Sequence, residues 1–225
     1  MGRSVETGNS IKKATIFYAG DSTVQFNSID TYPQTGLGQV LPRFVHEEYV
    51  VSNHGKNGRS TKSFIDEGRL DVIKEKINEG DYLFIQFGHN DEKAEDPLRY
   101  TKPDDEYEKN LAKFIGVARD KGAYPVLITP IERCHFENGC VYKGFHGDYV
   151  NAMKRVGSNL QVPVIDLYEK TRNIMNALGE SEAKKLYVKD GTHMTMEGAV
   201  KYCYELAYGL KELGGVYSQI LIAEL

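Results

Sequence analysis

The 225-residue sequence has no tryptophan, only three cysteines and no long hydrophobic run. Three thiols are too few for a disulfide-stapled scaffold, and an odd number leaves at least one of them unpaired in a monomer. No apolar stretch approaches the roughly 18 residues that a membrane-spanning helix needs. A small disulfide-rich domain and a membrane partner are therefore not expected.

Basic residues are not in excess, since 28 Lys and Arg stand against 32 Asp and Glu and give a net charge of −4. A protein dedicated to nucleic acid usually carries a basic surplus, so no nucleic-acid partner is expected. The first residues, MGRSVETGNSIKKA, lack the apolar core of a secretory signal. We therefore expect a cytoplasmic protein, built as one globular domain over residues 1–225.

Cys134 and Cys140 flank the turn-like segment HFENG. They could pair in an oxidising compartment, but the missing signal favours two free thiols on a surface loop. No second pair of Cys or His stands at zinc-like spacing, so no metal site is expected.

Five short and almost entirely apolar runs recur along the chain, at Thr15–Ala19, Tyr49–Ser52, Tyr82–Phe87, Pro125–Thr129 and Val162–Leu167. Such runs are typical of strands that are buried on both faces. Helical periodicity separates them, for example at Tyr107, Leu111, Phe114, Ile115 and Ala118. The alternation predicts an α/β fold, with about five parallel strands and helices on both faces of the sheet.

Four polar, glycine-containing clusters stand where the ligand-binding edge of such a sheet would gather them. They are Gly20–Thr23 (GDST), Asn53–Ser60 (NHGKNGRS), Gly88–Asp91 (GHND) and Asp190–His193 (DGTH). Each cluster alone has a structural explanation, because serine often caps helices and Asn-Asp often forms turns. Ligands of parallel α/β folds bind beyond the carboxyl ends of the strands, so the four clusters together predict one active site.

In this order and at these separations, the four clusters resemble the motif blocks of the SGNH (GDSL-type) hydrolase superfamily. The variants AGDSTV, GRSTKSF, EGR and QFGHND are similar to the rhamnogalacturonan acetylesterase branch, over about Ala14 to Leu213. The resemblance implies a flavodoxin-like, three-layer fold, which agrees with the strand pattern. Nothing in the sequence indicates a cofactor.

By position, the resemblance implies that Ser22 is the nucleophile, His193 the general base and Asp190 the carboxylate that orients the imidazole. A serine hydroxyl needs such a base to become nucleophilic, and the imidazole needs a fixed tautomer. The backbone N–H groups of Ser22 and Gly58 and the side-chain amide of Asn90 would form the oxyanion hole. Glycine at position 58 would let the backbone approach the substrate without an obstructing side chain.

Arg59 and His89 are the candidate substrate contacts. Arg59 lies in a basic cluster with Lys56, Lys62 and Arg69, which is either a solvated face or a site for a uronate carboxylate. His89, like Asp91, flanks Asn90 and either fixes its loop or touches substrate.

Three further side chains have structural explanations at this stage. Asp21 is interpreted chiefly as the cap of the nucleophile turn, and its alternative role is that of an electrostatic neighbour of the nucleophile. His135 and His146 follow the fourth predicted strand and are expected to face solvent, with contact to substrate as the alternative.

The expected function is a serine esterase that removes O-acetyl groups from rhamnogalacturonan- or pectin-derived oligosaccharides through an acetyl-enzyme. An acetylated oligosaccharide is then the expected partner. Because a fold does not fix a substrate, a short-chain esterase, thioesterase or lysophospholipase is the alternative. A carbohydrate-binding protein without catalysis is a further one. Tryptophan is absent, so tyrosines, of which there are 15, would have to stack against sugar rings.

Overall fold

The computed structural model describes residues 13–224. Most of the N-terminal segment behind the prediction of a cytoplasmic location lies outside the described residues, and that location stays a prediction. Within residues 13–224, no helix is long and apolar enough to cross a bilayer.

Five of the strands form one parallel sheet and two form a small antiparallel hairpin. The strands are β1 (Ala14–Gly20), β2 (Tyr49–Asn53), β3 (Tyr82–Gln86), β4 (Tyr124–Ile128), β5 (Phe136–Glu137), β6 (Cys140–Val141) and β7 (Val164–Ile165). The sheet order is β2-β1-β3-β4-β7, and β5 and β6 form the hairpin. The predicted five-stranded parallel sheet is therefore confirmed.

Helices cover this sheet. They are α1 (Leu37–Val40), α2 (Thr61–Asp66), α3 (Arg69–Lys76), α4 (Glu108–Asp120), α5 (Gly147–Leu160), α6 (Leu167–Leu178), α7 (Glu180–Ala183), α8 (Met196–Leu213) and α9 (Gly215–Ser218). A π-helical turn at Pro103–Tyr107 leads into α4.

Two apolar cores lie on opposite faces of the sheet, because successive side chains of a strand point to opposite sides. Ile16 and Tyr18 of β1 belong to the core that includes residues of α1, α6 and α8. Phe17 and Ala19 belong to the core that includes residues of α2, α3, α4 and α5. The predicted three-layer arrangement follows from this alternation.

The last predicted strand is longer than the observed one. Only Val164 and Ile165 pair in the sheet, because the Asp166 side chain accepts a hydrogen bond from the Glu169 N–H and caps α6, which begins at Leu167. A capping carboxylate three residues before its donor was the sequence signal for this helix start.

The prediction that Cys134 and Cys140 are free thiols is confirmed, but the predicted surface location of Cys134 is wrong. Cys134, Cys140 and Cys203 are all free thiols, but Cys134 is buried rather than on a surface loop. Its backbone N–H donates to the Gly191 carbonyl oxygen at 2.7 Å, which holds this segment against the loop that carries Asp190.

The candidate active site lies at the place in the sheet where the order in which the chain adds strands reverses. The chain passes from β1 to β2 on one side and then to β3 on the other side of β1. The connections that leave β1 and β3 therefore diverge and open a crevice at their carboxyl ends, which is where open α/β sheets bind ligands. GDST follows β1 and GHND follows β3 at this place.

Candidate active site

The turn after β1 is held by Asp21, which is fully buried. Its Oδ1 accepts hydrogen bonds from the Thr23 N–H and the Thr23 hydroxyl, both at 2.8 Å. Its carbonyl oxygen accepts from the N–H groups of Val24 and Gln25. The contacts agree with the capping interpretation, and the turn presents Ser22 at the carboxyl end of β1.

Ser22, His193 and Asp190 form a continuous hydrogen-bonded chain. The Ser22 Oγ lies 2.8 Å from His193 Nε2, and His193 Nδ1 lies 2.6 Å from Asp190 Oδ2. A carboxylate only accepts hydrogen bonds, so Nδ1 carries the proton. Nε2 is then left with a lone pair that can accept the proton of the Ser22 hydroxyl.

The turn at Asp190 orients its carboxylate locally. The Oδ1 atom accepts from the backbone N–H groups of Thr192 and His193, at 2.8 and 2.9 Å. Partial burial acts to raise the pKa of Asp190, but the hydrogen bonds from His193 and Thr192 outweigh it and the pKa is lowered. Asp190 is therefore held as an anion beside the imidazole.

Gly58 and Asn90 line the same cavity as Ser22, as expected for oxyanion donors. The Asn90 Nδ2 donates to the Arg59 carbonyl oxygen at 3.1 Å, which leaves its second hydrogen for a ligand. The Asn90 Oδ1 accepts from Arg99 Nη1 at 3.4 Å, so both ends of the amide are fixed.

The backbone gives a second reason for glycine at position 58, and the predicted close approach to substrate stays a prediction. No protein atom excludes a side chain here, because the nearest atom to an added Cβ would be Arg99 Nη1 at 3.7 Å. The backbone φ of +73° is the constraint, since residues other than glycine adopt this left-handed conformation at a cost.

Asp91 fixes the loop that carries Asn90. It is fully buried, and its Oδ1 accepts from the Thr61 N–H at 3.0 Å, the Thr61 hydroxyl at 2.5 Å and the Thr101 hydroxyl at 2.9 Å. Burial raises the pKa of Asp91 to about 7, although the hydrogen bonds from Thr61 and Thr101 act to lower it. These contacts tie the third motif cluster to the start of α2.

Comparisons with known proteins agree with this geometry. Residues 18–200 match the GDSL-like lipase/acylhydrolase family. The chain belongs to this family.

Its relatives include two curated acetylesterases. The chain is 41% identical over 217 residues to the rhamnogalacturonan acetylesterase RhgT of Bacillus subtilis strain 168, and the match covers 90% of this chain and 92% of RhgT. It is 28% identical over 203 residues to the rhamnogalacturonan acetylesterase of Emericella nidulans, with coverage of 82% and 80%. Among solved structures, YxiM of Bacillus subtilis superposes with a TM-score of 0.81 at 24% identity, over 91% of this chain and 58% of that one. This structural likeness bears on the fold alone.

His89 is buried and lines the catalytic cavity of this family member. Its Nδ1 lies 3.4 Å from Asp21 Oδ2, and its ring packs on the His146 ring at a centroid distance of 4.3 Å. Burial acts to raise the pKa of Asp21, but the nearby His89 imidazole and the hydrogen bonds from Thr23 lower it. The contacts with Asp21 favour a role in fixing the loop, while contact with substrate stays a prediction.

Arg59 does not line the cavity, and its predicted contact with substrate gains no support. Its guanidinium binds Glu67, with Nη2 2.8 Å from Oε1, and Arg69 binds the same carboxylate at 2.6 Å. Lys62 is also engaged, since its Nζ donates to the Pro97 carbonyl oxygen at 3.0 Å. Two of the four cations in this basic cluster, Arg59 and Arg69, are therefore paired with a carboxylate of the protein itself.

The cations that do line the cavity are Lys93, Arg99 and Arg133, none of which the sequence analysis selected. Two signals could have found them. Lys93 and Arg99 closely follow GHND, and Arg133 follows β4, where the strand-end rule places ligand contacts.

His146 does not face solvent as expected, whereas the side chain of His135 is 51% exposed. The buried His146 ring lies with Nδ1 2.9 Å from Glu92 Oε2. Burial, with the charge of the neighbouring His89, lowers the pKa of His146 to about 4. Burial acts to raise the pKa of Glu92, but the bonds from His146 and Arg133 lower it to about 2.

The catalytic cavity is small, about 290 Å³. A larger groove of about 1010 Å³ lies beside α8 and contains none of the three triad residues. Among residues 13–224, no cluster of His, Cys, Asp or Glu could hold a metal ion. The arrangement at Ser22 is suited to acyl transfer from a short acyl group.

Proposed function

We propose that this protein is a serine carboxylic-ester hydrolase that removes O-acetyl groups from rhamnogalacturonan-derived oligosaccharides. The observation that carries the proposal is the hydrogen-bonded chain Ser22–His193–Asp190 in a small cavity. It occurs in a chain 41% identical to a rhamnogalacturonan acetylesterase over most of its length.

The Ser22 Oγ attacks the acetyl carbonyl carbon while His193 Nε2 takes the hydroxyl proton. The carbonyl oxygen becomes an oxyanion, which the N–H groups of Ser22 and Gly58 and the Asn90 amide stabilise. When this intermediate collapses, His193 returns the proton to the departing sugar oxygen and an acetyl-Ser22 ester remains.

Water completes the reaction by the same route. His193 removes a proton from a water molecule that attacks the acetyl carbon, and the second tetrahedral intermediate releases acetate as Ser22 regains its proton. Asp190 keeps Nδ1 protonated and stabilises the imidazolium in both steps.

The size of the cavity separates this proposal from the alternative acyl classes. A volume of about 290 Å³, shared with the attached sugar, suits an acetyl group better than a fatty-acyl chain. Turnover of 4-nitrophenyl esters should therefore fall steeply from acetate to octanoate. A rate that rises with chain length would favour a lysophospholipase or thioesterase.

The direct test is acetate release from acetylated rhamnogalacturonan, xylan and chitin oligomers. We expect the highest kcat/KM on rhamnogalacturonan, and equal or higher values on xylan or chitin would contradict the proposed substrate. Tight binding of the oligosaccharide without acetate release would instead indicate a non-catalytic binding protein.

Ser22→Ala is the matched negative variant. It should abolish turnover and labelling by a fluorophosphonate probe while leaving the thermal unfolding midpoint unchanged, because within residues 13–224 the Ser22 hydroxyl hydrogen-bonds to His193 alone. Retained turnover would remove Ser22 from the nucleophile role.

A further inference from the structure

We propose that Lys93 binds a substrate carboxylate beside the catalytic serine, on a uronate next to the acetylated sugar. The inference rests on the proposed function and adds a specificity-determining residue to it. It starts from the charges around the catalytic cavity, where the side chains of Lys93, Arg99, Arg133 and Asp190 meet.

Three of these four charged side chains are already engaged. The Nε of Arg99 lies 2.6 Å from Asp96 Oδ2. The Nη2 of Arg133 lies 2.9 Å from Glu92 Oε1, and its Nη1 donates to the Thr192 hydroxyl. Asp190 binds His193.

Lys93 is the exception. No carboxylate lies within ion-pair distance of its ammonium group among residues 13–224, although the residue is partly buried. Its backbone N–H donates to the Asn90 carbonyl oxygen at 3.3 Å, so it belongs to the turn that carries the proposed oxyanion donor.

Among residues 13–224 the charge of this partly buried lysine has no ion-pair partner, so a negatively charged ligand group at the cavity wall would be attracted to it. A neutral acetyl ester supplies no such partner, whereas a carboxylate on the substrate does. The net charge of the whole chain is −4, so a positive cavity wall is a local feature rather than a reflection of the overall composition.

The surroundings of Lys93 indicate where the uronate ring would lie. Lys93 and Arg133 also line a second groove of about 510 Å³, which adjoins the catalytic cavity and contains Phe145 and His135. The Phe145 ring, whose centroid lies 5.8 Å from that of His135, gives this groove an aromatic surface on which a sugar can pack. A uronate in this groove would place its carboxylate near Lys93, at the boundary with the catalytic cavity.

Three carboxylates line this groove, and none of them cancels the site. Asp190 is already hydrogen-bonded to His193. Glu92 is already paired with Arg133 and His146. Glu95 is exposed, and water and salt screen its charge.

The test measures inhibition of 4-nitrophenyl acetate hydrolysis by a deacetylated oligosaccharide that contains galacturonate, and by the same oligosaccharide with its carboxyl groups reduced. Neither inhibitor needs to be turned over, and each variant is compared with its own uninhibited rate. The proteins are the wild type, Lys93→Gln, Lys93→Arg and Lys74→Gln. Lys74 is an exposed lysine on α3 outside both cavities, so its variant has the same net charge as Lys93→Gln.

We expect Lys93→Gln to raise the inhibition constant of the uronate oligosaccharide roughly tenfold, as loss of a hydrogen bond to a charged group does at a half-exposed site. Lys93→Arg should restore most of the affinity, and Lys74→Gln should match the wild type. Added salt should weaken inhibition of the wild type by the uronate compound more than it weakens inhibition of Lys93→Gln.

Equal inhibition constants for the wild type and Lys93→Gln would overturn the inference. Equal inhibition of the wild type by the uronate and the reduced oligosaccharide would overturn it as well. A wild type that releases no acetate from acetylated rhamnogalacturonan, yet shows Lys93-dependent inhibition, would contradict the proposed function and support the carboxylate site.

Discussion

Replacing Asn90 with alanine tests whether this side chain stabilises the transition state. Only 4% of Asn90 is exposed, and its amide is fixed by the Arg59 carbonyl oxygen and the Arg99 guanidinium. A donor fixed before the reaction acts mainly when negative charge has developed on the oxygen. Its loss should therefore lower kcat by roughly 10²–10³, or about 2.7–4 kcal/mol, with little change in KM.

The cost in stability should be smaller. The variant loses a part-buried hydrogen bond between Asn90 and the Arg59 backbone. Such a bond contributes about 1 kcal/mol, which lowers the unfolding midpoint of a domain of this size by about 2–4 °C. A large kinetic loss with a small thermal shift is the expected combination.

The assay is steady-state hydrolysis of 4-nitrophenyl acetate and of an acetylated oligosaccharide, with the unfolding midpoint measured on the same preparations. Both substrates form the same oxyanion, so the loss in kcat should be similar for both. Asn57→Ala is the matched control, because Asn57 is a second asparagine on the cavity wall and makes no side-chain hydrogen bond among the described residues. Its kcat should change less than threefold, a small effect for a residue outside the oxyanion hole.

A folded Asn90→Ala protein with kcat within about threefold of wild type would refute the donor role, provided that chemistry limits turnover. A large drop in the unfolding midpoint with both kinetic constants disturbed would assign Asn90 to loop structure instead.

Three further predictions concern the carboxylate that orients His193, the titration of His146 and the packing around two helical glycines. Asp190→Asn should lower kcat by roughly 10²-fold or more. Removing a fully buried triad carboxylate lowers kcat by roughly 10⁴-fold, and we expect a smaller loss here because the Asp190 side chain is 48% exposed. An unchanged kcat would contradict the role of Asp190 in the triad. Because the pKa of His146 is lowered to about 4, the native state binds fewer protons than the unfolded chain between pH 4 and 6.5 and loses stability as the pH falls. The free energy of unfolding of the wild type and of His146→Asn should therefore be measured in urea at pH 7 and at pH 5. The difference between wild type and variant should be about 2 kcal/mol less favourable to the wild type at pH 5 than at pH 7, and an equal difference at both pH values would rule out this titration. Gly116→Ala in α4 should stabilise the protein by about 0.5–1 kcal/mol, because nothing lies within 4 Å of the added methyl group. Gly198→Ala in α8 should destabilise it, because the new Cβ would collide with the backbone carbonyl oxygen of Leu186, and equal unfolding midpoints for the two variants would contradict this.

Arg59 and Lys93 show where sequence reasoning about charge fails. Arg59 lies in a basic run, yet Glu67, eight residues onward, neutralises it away from the cavity. Lys93 sits among acidic residues in DEKAED, yet the fold turns it into the cavity, where none of the described carboxylates pairs with it. The partners of a charged side chain depend on which loops fold together, and no pattern along the chain records that.

His146 shows that sequence reasoning about burial fails for the same reason. The segment around it is polar and rich in glycine, which favours a surface loop. The ring is buried because it packs on His89 and bonds to Glu92, 54 residues earlier in the chain. A contact over that separation leaves no local periodicity.

The sequence by itself determined the parallel sheet and the position of the site, because strands buried on both faces must be almost continuously apolar and the clusters that follow them must meet at one edge. Only the tertiary structure decided which polar groups face the substrate. It brings the Ser22 hydroxyl within 2.8 Å of the His193 imidazole, 171 residues away. It also places Lys93 on the wall of the same cavity, with no counter-charge in the part of the chain that the structure describes. The physical reason is that apolar burial is a property of each residue, whereas the pairing of charges depends on distances that only the folded chain sets.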